Sequence, residues 1–355
     1  MPKLSFTVPL GGRLGVPKER PSVYQVLQMP DTGASPRGST YRKSLLQCPH
    51  EHGLLYEIGL RPEQPSEALT VGLVFHYALQ RYYAEILRYQ REFVRKWVEK
   101  HPEDPWGYRG QDAFFFGNHS DAAAVAWNSI RDLESAPGYL DTWEVVSRVV
   151  DRYLDFYNLR DRWEIVAVEV TVEYYGRMSG SFDYTARLDL VVVDWSDGCL
   201  YNVEHKTARW VSQDLVDFYD LDLQILGQVW LATNCVDWAK MGLPMFGGCK
   251  INIASKQKTP VLIRHDVLPG VQALQAFERM VGQAETLRGV HEMLGWPKSL
   301  GHCAGYARGY SKCQFYELCR GYPLETVKSL KLWRDPPSGF VFKNPDAPTV
   351  EDHNV

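Results

Sequence analysis

Hydrophobic positions recur along this chain in two periods, and the change between them marks its organisation. From about Ser66 to Lys100, Leu69, Leu73, His76, Leu79, Tyr83, Ile86 and Leu87 fall at helical spacing. That spacing predicts one long amphipathic helix with His76 on its apolar stripe. Pro102, Pro105, Gly107 and Gly110 end it. Two more helical stretches follow, around Asp121 to Leu133 and Leu140 to Tyr157. The period then becomes two. Ile165 to Tyr174 alternates, and so does Arg187 to Val192, where Leu188, Leu190 and Val192 interleave with Arg187, Asp189 and Val191. After Ser196, Asp197 and Gly198 a second run carries Val203 to Lys206, so 186–207 predicts a β-hairpin. A helix over 214–235, strands over 248–254 and 261–265, and a helix over 271–294 complete the pattern. Helix, strands, helix, strand in this order predicts a mixed α/β core with helical additions and no internal repeat.

The hairpin places Asp189, Glu204 and Lys206 close together. Glu204 and Lys206 share a face because a strand repeats every two residues. A two-residue turn at Ser196-Asp197 puts Asp189 opposite Glu204, and one at Asp197-Gly198 puts it opposite Lys206. Either register brings all three to one face, with about 5 Å between the opposed pair. A three-residue loop would send Asp189 to the other face. A sheet showing its polar side to solvent accounts equally for such residues taken alone. As a group they can do chemistry: two carboxylates hold a hard divalent cation that activates water and neutralises phosphate, and a lysine kept protonated by its acidic neighbours stabilises developing negative charge.

Composition narrows the class. The chain has 355 residues, 45% hydrophobic and 23% charged, enough to bury a sizeable core. Its formal net charge of −4 excludes a protein held to nucleic acid by an overall basic field. Contact with nucleic acid would have to be local, at Arg88, Arg91, Arg95 and Lys96 on the long helix, which a solvated face explains as well, or at Lys250, Lys256 and Lys258. No long apolar run or charged leader is present, which predicts a cytoplasmic protein with no membrane association. Seven cysteines, an odd number, do not read as a secreted disulfide framework. Residues 1–42 are turn-rich, and 322–355, rich in Pro, Lys and Asp, reads as a poorly ordered tail.

In chain order, GLVFH at 72–76, VEV around Glu169, RLD at 187–189, VEHK at 203–206 and Asp222-Leu223-Gln224 resemble the RecB-type branch of the PD-(D/E)XK nuclease superfamily. That branch includes phage exonucleases, the AddB nuclease domain and CRISPR adaptation nucleases. The resemblance implies a restriction-endonuclease-like domain over 43–321, with a central mixed sheet flanked by helices and a cysteine-bearing C-terminal lobe. It implies Mg2+ or Mn2+ held by His76, Asp189, Glu204 and the His205 carbonyl, Lys206 as the catalytic lysine, and Gln224 as the glutamine that orients that lysine or contacts DNA. Glu169 is implied as an acid orienting water or metal. Ala186-Arg187 stands where the family often has Gly, and Gln228 where it has an aromatic residue. Cys48, with Cys303, Cys313 and Cys319 after the core, resembles a clasp for a [4Fe-4S] cluster, with Zn2+ as the alternative. Cys199, Cys235 and Cys249 read as ordinary buried thiols. The activity implied is exonucleolytic hydrolysis of DNA ends in recombination, repair or phage DNA processing, with partner proteins from those processes. The alternative is a DNA-binding or assembly module that keeps the fold but does little chemistry.

Overall fold

The computed structural model describes residues 26–28, 37–62, 67–157, 160–176, 182–299, 313–321, 337 and 340–342. The first elements are helices α1 (Ser39–Gln47) and α2 (Pro49–His52), strand β1 (Leu60–Pro62) and the long helix α3 (Glu67–Lys100). Helices α4 (Asp112–Phe116), α5 (His119–Ile130) and α6 (Leu140–Tyr157) follow. The central sheet uses β2 (Trp163–Tyr174), β3 (Tyr184–Asp194) and β4 (Cys199–Ala208). After helices α7 (Gln213–Tyr219) and α8 (Leu223–Asn234) it is completed by β5 (Phe246–Ser255) and β6 (Leu262–Val267). Helix α9 (Val271–Leu294), helix α10 (Tyr316–Gly321) and strand β7 (Phe340–Phe342) end the described chain. Among the described residues no helix is long and apolar enough to cross a membrane.

The five-stranded sheet has the order β2-β3-β4-β5-β6, antiparallel except for the parallel pair β4 and β5. It is therefore a mixed sheet, with α7 and α8 forming the crossover that parallel strands require. Val74, Phe75, Ala78, Leu79 and Tyr82 of α3 pack with α6 on one face, against Leu190, Val192 and Val203. On the other face Leu226, Trp230 and Leu231 of α8 and Phe277 of α9 cover Tyr184 and Ala186. Gly227 lets α8 come this close, because a Cβ there would overlap the Tyr184 ring.

Two segments differ from the sequence reading. Helix α1 begins inside the stretch read as turn-rich, and Leu27 is buried in the main core. At the other end Phe340–Phe342 pairs antiparallel with β1, because Leu60 and Phe340 are apolar residues on matching short strands. Apart from residue 337, the rest of the segment read as a tail lies outside the described residues.

Candidate functional site

The β3–β4 turn is four residues long, Trp195 to Gly198, and Asp194 pairs with Cys199. Gly198 takes a left-handed φ of +75°, and its amide donates to the Asp194 carbonyl at 2.7 Å. Even length preserves strand parity. The ladder runs to Leu190 against Val203, and a further step would oppose Asp189 to Glu204. There the ladder stops: residues 184–188 pair only with β2, and 204–208 only with β5. The sheet forks.

Side chains satisfy the backbone groups that the fork exposes. The His205 amide donates to Asp189 Oδ2 at 2.9 Å. Gln228 of α8 spans the gap, donating through Nε2 to Glu204 Oε2 at 2.7 Å and reaching the Arg187 carbonyl at 3.4 Å. Glu204 and Lys206 share a face, as their spacing predicts, and meet the glutamines of α8 there. Lys206 Nζ pairs with Glu204 and donates to Gln224 Oε1 at 2.8 Å, while Gln224 Nε2 donates to Glu204 Oε1 at 2.7 Å. Asp222 caps α8 by accepting from the Gln224 amide at 2.8 Å, and Lys43 of α1 holds it at 2.6 Å.

Asp189 turns the other way. Leu190 and Val192 bury in the α3 layer while Leu188 buries in the opposite one, so the alternation breaks at Asp189. Its carboxylate meets His76 Nδ1 of α3 at 3.1 Å. Glu169 completes the group. The β2–β3 ladder pairs Val168 with Leu190 and Val170 with Leu188, leaving Glu169 opposite Asp189, with a left-handed φ of +53°. Arg187 Nε contacts Glu169 Oε2 at 2.8 Å.

One ligand atom each from His76, Glu169 and Asp189 lie within 4.8 Å of one another. An octahedral cation bonded at about 2.1 Å places its ligands about 3 to 4.2 Å apart, so these donors fit one with slight closure. The electrostatics fit too. Burial and the Asp189 charge push Glu169 up to about 7, and burial with the same charge raises Glu204. Buried negative charge in such excess is what a divalent cation offsets. Burial would raise Asp189 as well, but the His76 charge and hydrogen bond hold it below the ordinary carboxylate range. Burial opposes the charge on Lys206, yet Glu204 and Asp189 outweigh it and keep the ammonium protonated. His205 is pushed down to about 3 by burial, so its ring is neutral. That ring stacks on Tyr83 and approaches the Tyr153 hydroxyl at 3.4 Å, facing away from Glu204 and Lys206.

The structure thus brings together His76, Glu169, Asp189, Glu204, Lys206 and Gln224. Glu204 lies outside the tight donor group, its oxygens held by Lys206, Gln224 and Gln228. In the sequence Gln228 stands out only as a departure from an aromatic position. Its signal was the i, i+4 spacing to Gln224, which puts both amides on one helix face.

The basic patches fare differently. Arg88, Arg95 and Lys96 pair with Glu85, Glu92 and Glu99 along α3, a solvated face. Lys250 is buried between Asp194 and Asp266, at 3.5 and 3.4 Å, and leaves the candidate nucleic-acid surface. Of the cysteines, Cys48 and Cys313 are buried and Cys319 half-buried. Their segments meet: Cys313 and Cys319 lie in one apolar cluster with Leu45, Leu54 and Trp296, and Gln314 Nε2 reaches Glu51 at 3.2 Å. Cys303 lies outside the described residues. Tetrahedral zinc would need thiolates about 3.8 Å apart. Among the described residues, His76, Glu169 and Asp189 form the one group of three His, Cys, Asp or Glu ligand atoms within 4.8 Å, and no cysteine belongs to it. Cys249 is buried, Cys199 and Cys235 half-buried.

The sequence model of the PD-(D/E)XK nuclease superfamily matches residues 40–320. Among the solved structures that resemble the chain are two at low sequence identity. One is a protein from Eubacterium rectale described as a candidate exonuclease, 13% identical, covering 84% of this chain and 97% of its own, with a TM-score of 0.38. The other is SSO0001, 12% identical, covering 57% of this chain and 74% of its own, with a TM-score of 0.26. No curated protein matches the chain.

Proposed function

This chain belongs to the PD-(D/E)XK nuclease superfamily, and on that premise we propose that it is a Mg2+- or Mn2+-dependent exonuclease that hydrolyses DNA from its ends, in recombination, repair or phage DNA processing. The observation that carries this reading is the fork in the sheet, where Asp189, Glu169 and His76 converge beside a lysine fixed by Glu204 and Gln224. His76, Glu169 and Asp189 would hold the cation. When bound, it supplies charge neutralisation at the phosphate and a more acidic water. Lys206 holds its proton and offers the ammonium to the negative charge that grows on the reacting phosphate. Gln224 accepts one ammonium hydrogen and so fixes its direction. Gln228, itself held by Asn202, holds Glu204 without taking part in proton transfer.

DNA cut from its ends fits a chain in which no element reads as a dedicated base-recognition module. The test uses end-labelled single- and double-stranded DNA and closed circles, with Mn2+, for the parent and Lys206→Ala. Loss of linear DNA with circles spared, abolished by EDTA and by Lys206→Ala, is expected; equal degradation by both proteins, or none by the parent, overturns the reading. The cysteine lobe is proposed to carry a [4Fe-4S] cluster, supported by the meeting of the Cys48 and Cys313–Cys319 segments. Protein purified without oxygen should be brown, and zinc with no visible absorption would replace the cluster by a zinc site.

A further inference from the structure

Helix α3 and strand β4 run side by side in opposite directions. The His76 and His205 rings lie 6.3 Å apart, and a Cβ on Gly72 would sit 3.8 Å from Thr207 Oγ1. Four helical residues advance about 6 Å and two strand residues about 6.6 Å, so the two elements stay in step. One more turn back along α3 brings Leu69 level with the end of β4. At that end the parallel strands β4 and β5 finish together, Ala208 beside Ser255, and the Lys256 amide donates to the Ala208 carbonyl at 2.7 Å. Arg209 and Trp210 therefore emerge next to Lys256, Gln257 and Lys258, just beyond Lys206.

Trp210 is 55% exposed, and the Arg209 guanidinium lies 5.0 Å from its ring centroid. Leu69, Phe218 and Leu221 are also exposed. A large exposed indole beside a guanidinium, next to the proposed nuclease centre, matches the ligand chemistry of a single nucleic-acid strand. Unpaired bases stack on an indole, and the phosphates between them take the cations. A closed duplex offers no free base face. Asp217 of α7 accepts from Gln213, and Asp220, just past the end of α7, meets His265, both at 2.6 Å.

We infer that Trp210 and Arg209, with Lys256 and Lys258, form a track for a single DNA strand at the carboxyl ends of β4 and β5, stacking bases on the Trp210 ring as the strand leaves the Lys206 site. This inference rests on the nuclease reading, and a binding measurement separates the two.

The experiment measures anisotropy of a labelled single-stranded oligodeoxynucleotide with the full chain in EDTA, where nothing is cut. Trp210→Ala should weaken binding about tenfold or more, and Trp210→Phe should keep most of it. Lys258→Ala should flatten the dependence of log Kd on log salt by about 0.7. Unchanged affinity in Trp210→Ala, equal losses in the Phe and Ala variants, an unchanged salt slope, equal losses on a closed duplex circle, or a parent that does not bind would each overturn the track. Cutting with Mn2+ is read in parallel. A parent that cuts while Trp210→Ala binds as well as the parent refutes the track alone, and one that binds through Trp210 without cutting refutes the nuclease and supports the track.

Discussion

Gln228 donates to Glu204 Oε2 at 2.7 Å while its own Oε1 accepts from Asn202 at 3.0 Å, so one buried amide ties an acid of the site to the strand floor beneath it. Glu204 and Gln228 are each 1% exposed, so water cannot replace that bond. Gln228→Leu should destabilise the protein by about 1 to 3 kcal/mol, the usual cost of orphaning a buried acceptor. Urea denaturation measures this. Cleavage should fall at least tenfold with substrate affinity kept, since Glu204 fixes the Lys206 ammonium. A variant as active as the parent would mean that the Gln224 contact suffices.

Glu169 opposes Asp189 across β2 and β3 in a left-handed conformation that costs an ordinary residue about 1 kcal/mol or more. Strain and buried charge at one position suggest stability given up for cation binding. Glu169→Gln should raise the melting temperature of the metal-free protein and reduce the further rise that Mn2+ gives the parent. Activity should drop with it. A variant that is less stable without metal would show that the Arg187 pair outweighs the burden of the charge.

These two residues also mark what could be read in the chain. The even β3–β4 turn was legible from its polar residues, but the single face expected for Asp189, Glu204 and Lys206 does not hold, because the alternation breaks at Asp189 and turns its carboxylate to His76 while Glu204 and Lys206 meet α8. Glu204 and Lys206 on one face followed from period-two spacing, and the mixed α/β core followed from the order of periods. Glu169 was harder to place: the extra residue at Val166 shifts the register between Ile165 and Ala167, and a positive φ then re-aims the side chain, neither of which alternation encodes. The turn of Asp189 towards His76 depends on the fork, a break in pairing that only the tertiary contacts of α8 reveal. Lys250 was misplaced because a lysine can be buried when Asp194 and Asp266 flank it, a pairing that sequence spacing does not show.

Behind His205 lies a buried chain of polar groups. The Tyr153 hydroxyl bonds Tyr83 at 2.9 Å, accepts from Asn252 Nδ2 at 2.8 Å and approaches His205 Nδ1 at 3.4 Å. Asn252 Oδ1 accepts from Arg264, which grips Asp161 with two bonds and lies over Tyr157 and Trp163. His205 sits between Glu204 and Lys206, so this chain positions the site from below. Tyr153→Phe should cost about 1 to 2 kcal/mol by leaving the Asn252 donor unpaired. It should lower kcat with KM little changed. A KM effect alone would assign Tyr153 to substrate binding instead.

Asp194 sets the hairpin on which the site depends. Its Oδ1 accepts from the Ser196 amide at 3.0 Å and the Ser196 hydroxyl at 2.5 Å, and its Oδ2 from Trp163 Nε1 at 3.2 Å, with Lys250 at 3.5 Å. Burial opposes its charge, but these donors and the Lys250 cation hold its pKa below the ordinary value of 3.8. A carboxyl with a depressed folded pKa contributes stability above the unfolded pKa and loses it as pH falls through the folded one. Asp194→Asn should therefore be less stable than the parent at pH 7, by about 1 to 3 kcal/mol. The gap should hold down to about pH 4.5 and narrow once pH drops below 3.8, as the parent carboxyl takes up a proton and matches the neutral amide. Urea midpoints for both proteins from pH 7 to pH 3 give the answer, and a gap that stays constant or widens in acid would show that Asp194 acts through shape rather than charge.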